Sequence, residues 1–437
     1  MAGSRSETIY SLLTGEDNGR ACQDIPEEAC REQPGNFLKH ILSLSATKTG
    51  DGLADPKLVL SWLLLALGAP AALVGFLVPV REAGSLLPQL VTAGWIRSLP
   101  RRKWAWSVGS AVQGLAVIGM ALAALVVRGT EAGWTIVGLL AIFAVARSVC
   151  SVSYKDVLGK TVARSTRGTA TGAAGTVAAV FVLLFGGLLS IGILEKSVGV
   201  VVAVLLIAGG LWMTAAVIFS TLVEAPGATE GGRNALKVAI SQISLLKSDR
   251  QLVRFIITRS LLTATAIAPP YLVALSGEYG SRQFGQLGPF VVASGLATVL
   301  SSFIWGRLSD RSSRKVLIFA ALVGAVALSA AAAIGISAEQ ILKGTLILPG
   351  LHFILMIGYQ GVRIGRSTHL VDMAEPEKRA AYTALSNTII GLVLILGGLF
   401  GAVAQMAGES AVLAVFAVMA IAAAFLARTL DEVQAES

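Results

Sequence analysis

Gly306-Arg307-Leu308-Ser309-Asp310-Arg311-Ser312-Ser313-Arg314-Lys315 is a glycine-led, doubly basic loop set between two long apolar runs. An altered copy, Gly94-Trp95-Ile96-Arg97-Ser98-Leu99-Pro100-Arg101-Arg102-Lys103, stands 212 residues earlier, its Arg-Lys pair again eight and nine residues after the glycine. That offset is about half of the 437-residue chain. A second pair of landmarks agrees: Arg147 and Asp156 are nine apart, as are Arg363 and Asp372, and Ser151 and Ser367 follow their arginines by four, at an offset of 216. The chain reads as two duplicated halves in parallel repeat.

With 54% hydrophobic and 14% charged residues and a mean hydropathy of +0.74, the chain is more apolar than the cores of a soluble protein could hide. Runs long enough to cross a membrane, about 20 residues each, recur along it. Twelve spans are predicted, near 40–66, 71–96, 104–127, 134–153, 169–192, 198–222, 255–276, 284–305, 316–336, 345–367, 381–405 and 410–427. An all-α membrane protein of two six-helix bundles follows, 40–222 and 255–427. A cytoplasmic tail occupies 1–39, a linker 223–254 and a second tail 428–437.

The net charge of +9 does not imply nucleic acid, because Lys and Arg are spread over alternate loops: between two and five in each of five loops, at most one in each of the others. The positive-inside rule places both termini in the cytoplasm, with a plasma (inner) membrane location and a monomer expected. Residues 1–39 lack the pattern of a signal peptide and form a polar tail, acidic from Glu16 to Glu32. Cys22, Cys30 and Cys150 offer neither a disulfide framework nor a zinc site. No phosphate-binding glycine loop, metal-ligand spacing or nucleophile triad occurs, so no enzyme, cofactor or metal is expected.

The loop Gly306 to Lys315 resembles the signature cytoplasmic loop of the major facilitator superfamily of membrane transporters. The resemblance implies a secondary transporter that rocks two bundles about a central site. It also implies that the acid and basic residues of the loop pair with charges on neighbouring helices to hold the inner gate shut. Carried over, these are Gly306, Asp310, Arg311, Arg314 and Lys315. The first copy departs, with Ser98 in the place of the acid and Pro100 inside the loop, so its gate is expected to run from Arg101, Arg102 or Lys103 to Asp156, with Gly94 and Asp372 as the remaining gate positions.

Hydropathy alone starts the first span near Lys57 and leaves a second, Gly84 to Leu99, of only 16 residues. The repeat instead predicts helices near 42–64 and 72–93, with Gly68-Ala69-Pro70 as the outer turn. This register carries Lys48, Asp51, Asp55 and Lys57 into the first span and Arg81 and Glu82 into the second. Ionisable groups at that depth mark function. Lys48, Asp51 and Asp55 would share one helix face, as would Glu82, Ser85 and Gln89, lining a cavity between them; the alternatives are a salt-bridge set at helix ends or a first span that begins later. Gly50-Asp51-Gly52 is similar to an element in the first helix of several members of the superfamily.

Arg147, Arg259, Arg363 and Arg366 either snorkel to the interface or line a basic vestibule for an anion. Arg366, His369 and Asp372 recur every three residues, as a relay or, preferably, a solvated stripe. Pro269 and Pro270 interrupt the seventh span. The fifth lacks the Gly-Pro element that similar drug–proton antiporters carry, although a weak likeness to efflux-type members leans toward export. The expected cargo is a small anionic or zwitterionic organic solute, exported against protons, with Glu82 as first coupling carboxylate, released from Arg81 on protonation, and Asp51 as second. Uptake symport and a transporter-shaped sensor or assembly factor remain open.

Overall fold

The computed structural model describes residues 5–14, 31–194, 197–227, 229, 245–279, 287–337, 341, 346–375 and 378–434. Glu16 to Glu28 of the tail, Cys22, Cys30 and half of the linker lie outside them. The described residues are helical throughout the body, and ten helices among them are long and apolar enough to cross a membrane: Lys103–Val126, Gly129–Thr161, Ser165–Ser190, Val198–Ser220, Arg250–Gly277, Leu287–Arg311, Ser313–Ser337, Ile347–Met373, Ala381–Ala407 and Glu409–Ala427. Their outward faces expose large apolar side chains such as Ile207, Val217 and Val326, the reverse of a soluble bundle.

The first two predicted spans are missing from that set because both are broken. Residues 33–66 divide into Gln33–Leu53 and Val59–Ala66, and residues 71–97 into Ala71–Val74, Leu77–Leu86 and Gln89–Arg97. Pro56 and Pro88 stand in two of the breaks, where proline removes a backbone donor. In the first break the Asp55 carboxylate accepts the Lys57 amide at 2.7 Å, and the Ser61 hydroxyl donates to the Pro56 carbonyl at 2.7 Å, replacing lost helical bonds. Gly68 turns the chain between the two segments at φ +79°, a conformation that suits glycine.

Gly50 and Gly52 explain how the first helix packs. A Cβ on Gly50 would meet the Trp212 ring at 2.9 Å, and one on Gly52 would run into the Val182 side chain. Without them Gln33–Leu53 nests between helices Val198–Ser220 and Arg164–Ser190, and Asp51 is directed to the opposite side. The two halves touch at the Gly68 end of the bundle. There a Cβ on Gly75 would meet the Gly401 amide at 2.8 Å, and one on Gly288 the Ser190 amide at 2.6 Å. Small residues permit such backbone contact where hydrophobic driving force is weak.

Candidate substrate cavity and gate loops

Asp51 is the centre of the first cluster. One of its oxygens accepts from Arg81 Nη2 at 3.1 Å and the other from Arg147 Nη2 at 2.5 Å, so helices Gln33–Leu53, Leu77–Leu86 and Gly129–Thr161 are tied by a single carboxylate. The charge-assisted bonds are of the stronger kind, and the Arg81 guanidinium also sits 5.1 Å over the Phe143 ring. Lys48 Nζ donates to the Thr171 carbonyl at 3.0 Å. Lys57 reaches across to the other half, its ammonium 3.6 Å over the Tyr359 ring.

Three expectations about this hairpin need correction. Asp55 does not share a helix face with Lys48 and Asp51, because Gln33–Leu53 ends before it and Asp55 belongs to the proline break. Ser85 and Gln89 do not line a cavity through their polar ends: Ser85 donates to the Glu82 carbonyl at 2.8 Å and Gln89 to the Ser85 carbonyl at 2.8 Å. Nor is Arg81 the ion-pair partner of Glu82. Successive helical side chains diverge by about 100°, so Arg81 meets Asp51 while Glu82 faces the second half.

Glu82, Arg259, Tyr359, Arg363 and Arg366 share a cavity of about 60 Å³ between the halves. A water molecule's share of the liquid is about 30 Å³, so the cavity must widen to take an organic solute. Arg259 is buried and oriented, donating to the Ser386 hydroxyl at 2.7 Å and to Asn387 Oδ1 at 2.9 Å, while its Nε has no acceptor. The side chains of Glu82, Arg363 and Arg366 make neither a hydrogen bond nor an ion pair among the described residues. Glu82 instead lies within Coulombic range of Arg81, Lys57, Arg366 and Arg147, and Lys48 within range of Arg363 and Arg147. Seven cations, Lys48, Lys57, Arg81, Arg147, Arg259, Arg363 and Arg366, thus face three acids, Asp51, Asp55 and Glu82.

Sequence reasoning missed Tyr359, Ser386, Asn387 and Phe143. Tyr359, Arg363 and Arg366 are spaced i, i+4 and i+7 on Ile347–Met373, a one-face pattern that was available. His369 belongs neither to a relay nor to a solvated stripe. It is buried, 2.9 Å from the Ser313 hydroxyl, and stacked 5.5 Å from the Phe255 ring.

At the opposite end from Gly68, each basic loop is held by its own half. Arg102 pairs with Asp156, and Lys160 joins Asp156 at 2.7 Å and Glu224 at 3.3 Å. Glu224 also accepts the amides of Arg102 and Lys103 at 3.0 and 2.8 Å. Lys103 Nζ goes to the carbonyls of Ser220 and Leu222, and Arg101 is exposed. In the second loop Ser312 donates to Glu432 at 2.6 Å, Arg314 approaches Glu432 at 3.5 Å, and Gln434 donates to Asp372 at 2.7 Å. Asp310, Arg311 and Lys315 are exposed, and Gly94 and Gly306 are part-buried. Glu224, Glu432 and Gln434 were not foreseen, because each lies more than 60 residues from the group it holds.

The Major Facilitator Superfamily sequence model matches residues 255–436. No curated protein sequence matches the chain. Solved structures with a similar fold include a variant of the nucleoside transporter NupG, at 14% identity and a TM-score of 0.72, covering 91% of this chain and 100% of that one. A D-xylose–proton symporter is similar at 11% identity and a TM-score of 0.68, covering 92% and 99%. A POT family transporter in complex with a thioalcohol-conjugated peptide is similar at 10% identity and a TM-score of 0.69, covering 93% and 98%. At these identities the likeness is one of fold. The Major Facilitator Superfamily model thus covers the second half of the chain, and the fold of these solved transporters extends along nine-tenths of its length.

Proposed function

We propose that the chain is a secondary active transporter of a small anionic organic solute, working by alternating access of two six-helix bundles, 40–222 and 255–427, in the plasma (inner) membrane with both termini cytoplasmic. The carrying observation is the excess of basic groups around the cavity, with Arg363 and Arg366 unpaired among the described residues and Arg259 oriented by Ser386 and Asn387. A site of this charge attracts anions and repels cations. Asp51 serves as the anchor of the first bundle rather than a ligand, since both its oxygens are spent on arginines.

Protons enter through Glu82, the acid of the cavity wall. Protonation removes one of the three negative charges opposing the cations, so solute anion and proton bind cooperatively, and by linkage each favours the other. That sign favours movement in the same direction, proton-coupled symport, over the export expected from efflux-type likeness. A similar fold is that of a named xylose–proton symporter.

Uptake into proteoliposomes of a panel of mono- and dicarboxylates, phosphate esters, neutral sugars and amines, under an imposed pH gradient, tests this. An anion should accumulate with an inward proton gradient. Arg363→Gln should raise its KM roughly tenfold or more, as a charged hydrogen bond is worth about 1.5–3 kcal/mol, and Glu82→Gln should keep solute exchange while losing the response to the gradient. Preference for a cation or neutral solute would overturn the anion assignment, and gradient-driven uptake by Glu82→Gln would overturn the coupling. Absence of transport with all anions would favour the sensor or assembly reading.

A further inference from the structure

The end of helix Val198–Ser220 gathers lysines from two other helices. Lys39 Nζ donates to the Thr221 carbonyl at 2.8 Å, and Lys103 Nζ to the carbonyls of Ser220 and Leu222 at 2.8 and 2.7 Å. Arg101 is exposed, makes no hydrogen bond or ion pair among the described residues, and lies with Lys39 within Coulombic range of Lys103. An ammonium has three donors, so Lys103 keeps one N–H and Lys39 two. The neighbouring acid is already committed: Glu224 is fully buried, and its oxygens accept the amides of Arg102 and Lys103 and approach Lys160. Three cations therefore share one place with their nearest carboxylate occupied.

An apolar lane starts from this place. The Lys103 ammonium sits 4.9 Å over the ring of Trp104, which is 53% exposed. Trp104, Val108, Leu115 and Leu122, at i, i+4, i+11 and i+18, fall on one face of Lys103–Val126 and are all exposed. Exposed tryptophan belongs at the headgroup level of a bilayer, with aliphatic side chains below it.

We propose that Lys39, Arg101 and Lys103 bind the headgroup phosphate of an anionic phospholipid whose acyl chain lies along Trp104, Val108, Leu115 and Leu122. The commitment to lipid rather than free phosphate rests on the lane, which continues from the basic cluster down the helix. The commitment to an anionic lipid rests on charge, because a zwitterionic headgroup brings its own cation to a place that already holds three. Since the Lys103 amide hangs on Glu224, the lipid would brace the loop 94–103 from outside.

Native mass spectrometry of the full chain released from nanodiscs holding phosphatidylglycerol and phosphatidylcholine in equal amounts tests the assignment. Phosphatidylglycerol adducts should exceed phosphatidylcholine adducts by about tenfold, and the excess should vanish in Lys39→Gln/Arg101→Gln. Equal adducts in the wild type, or an undiminished excess in the variant, would overturn the proposal. Displacement of the lipid by millimolar inorganic phosphate would assign the cluster to free anions and overturn the lipid. Should the double variant fail to fold, Arg101→Glu alone, at an exposed side chain without a partner, must still lower the excess.

Discussion

The two basic loops share a plan and differ in how tightly it is drawn. Each is tied to an acid that follows the last helix of its half, Glu224 for 94–103 and Glu432 for 306–315. Glu224 has 0% side-chain exposure and gathers two amides and an ammonium, while Arg102, 8% exposed, pairs with Asp156. Glu432 is 21% exposed, bonds the Ser312 hydroxyl and meets Arg314 at 3.5 Å, with Asp310, Arg311 and Lys315 left on the surface. The copy that departs from the family pattern is therefore the more deeply held. Loss of the acid at Ser98 is accompanied by an internal network that does not need it.

Glu224→Ala should have the largest effect, because it leaves the Arg102 and Lys103 amides without their acceptor and Lys160 with Asp156 alone. A cost of about 3–5 kcal/mol is expected for breaking a buried pair, read as a fall in apparent melting temperature of the purified protein. Asp156→Asn should cost less, about 1–2 kcal/mol, since Asp156 is 34% exposed and Lys160 retains Glu224. Glu432→Ala is expected to cost no more than about 1 kcal/mol. A melting shift for Glu432→Ala equal to that of Glu224→Ala would erase the distinction between the loops. Ser98→Asp, at an exposed position whose hydroxyl bonds only the Trp95 carbonyl, should change stability by less than about 0.5 kcal/mol; a larger gain would mean that the first loop still lacks its acid.

The broken hairpin shows how much could be read in advance. Hydropathy averages over a window and puts the first span too late, since Lys48, Asp51, Asp55 and Lys57 depress it. The repeat is insensitive to that dip, and its register agrees with segments 33–66 and 71–97 and with the Gly68 turn. What it could not carry was the local break: the face shared by Lys48, Asp51 and Asp55 assumed an unbroken helix, and Pro56 interrupts it. Arg81 and Glu82 were likewise joined as neighbours in sequence, whereas helical geometry sends them to different partners.

By itself the sequence determined the membrane setting, the landmarks of duplication, the family resemblance and the abundance of intramembrane charge. These follow from composition, period and spacing, which are properties of the chain. The tertiary structure decided which charges meet. Asp51 with Arg81 and Arg147, Arg259 with Ser386 and Asn387, and Glu224 with the first basic loop are separated by between 30 and 128 residues. A carboxylate has no preference among arginines until packing brings one within about 3 Å, and that packing depends on contacts such as Gly50 against Trp212, whose partners lie in helices far apart in the chain.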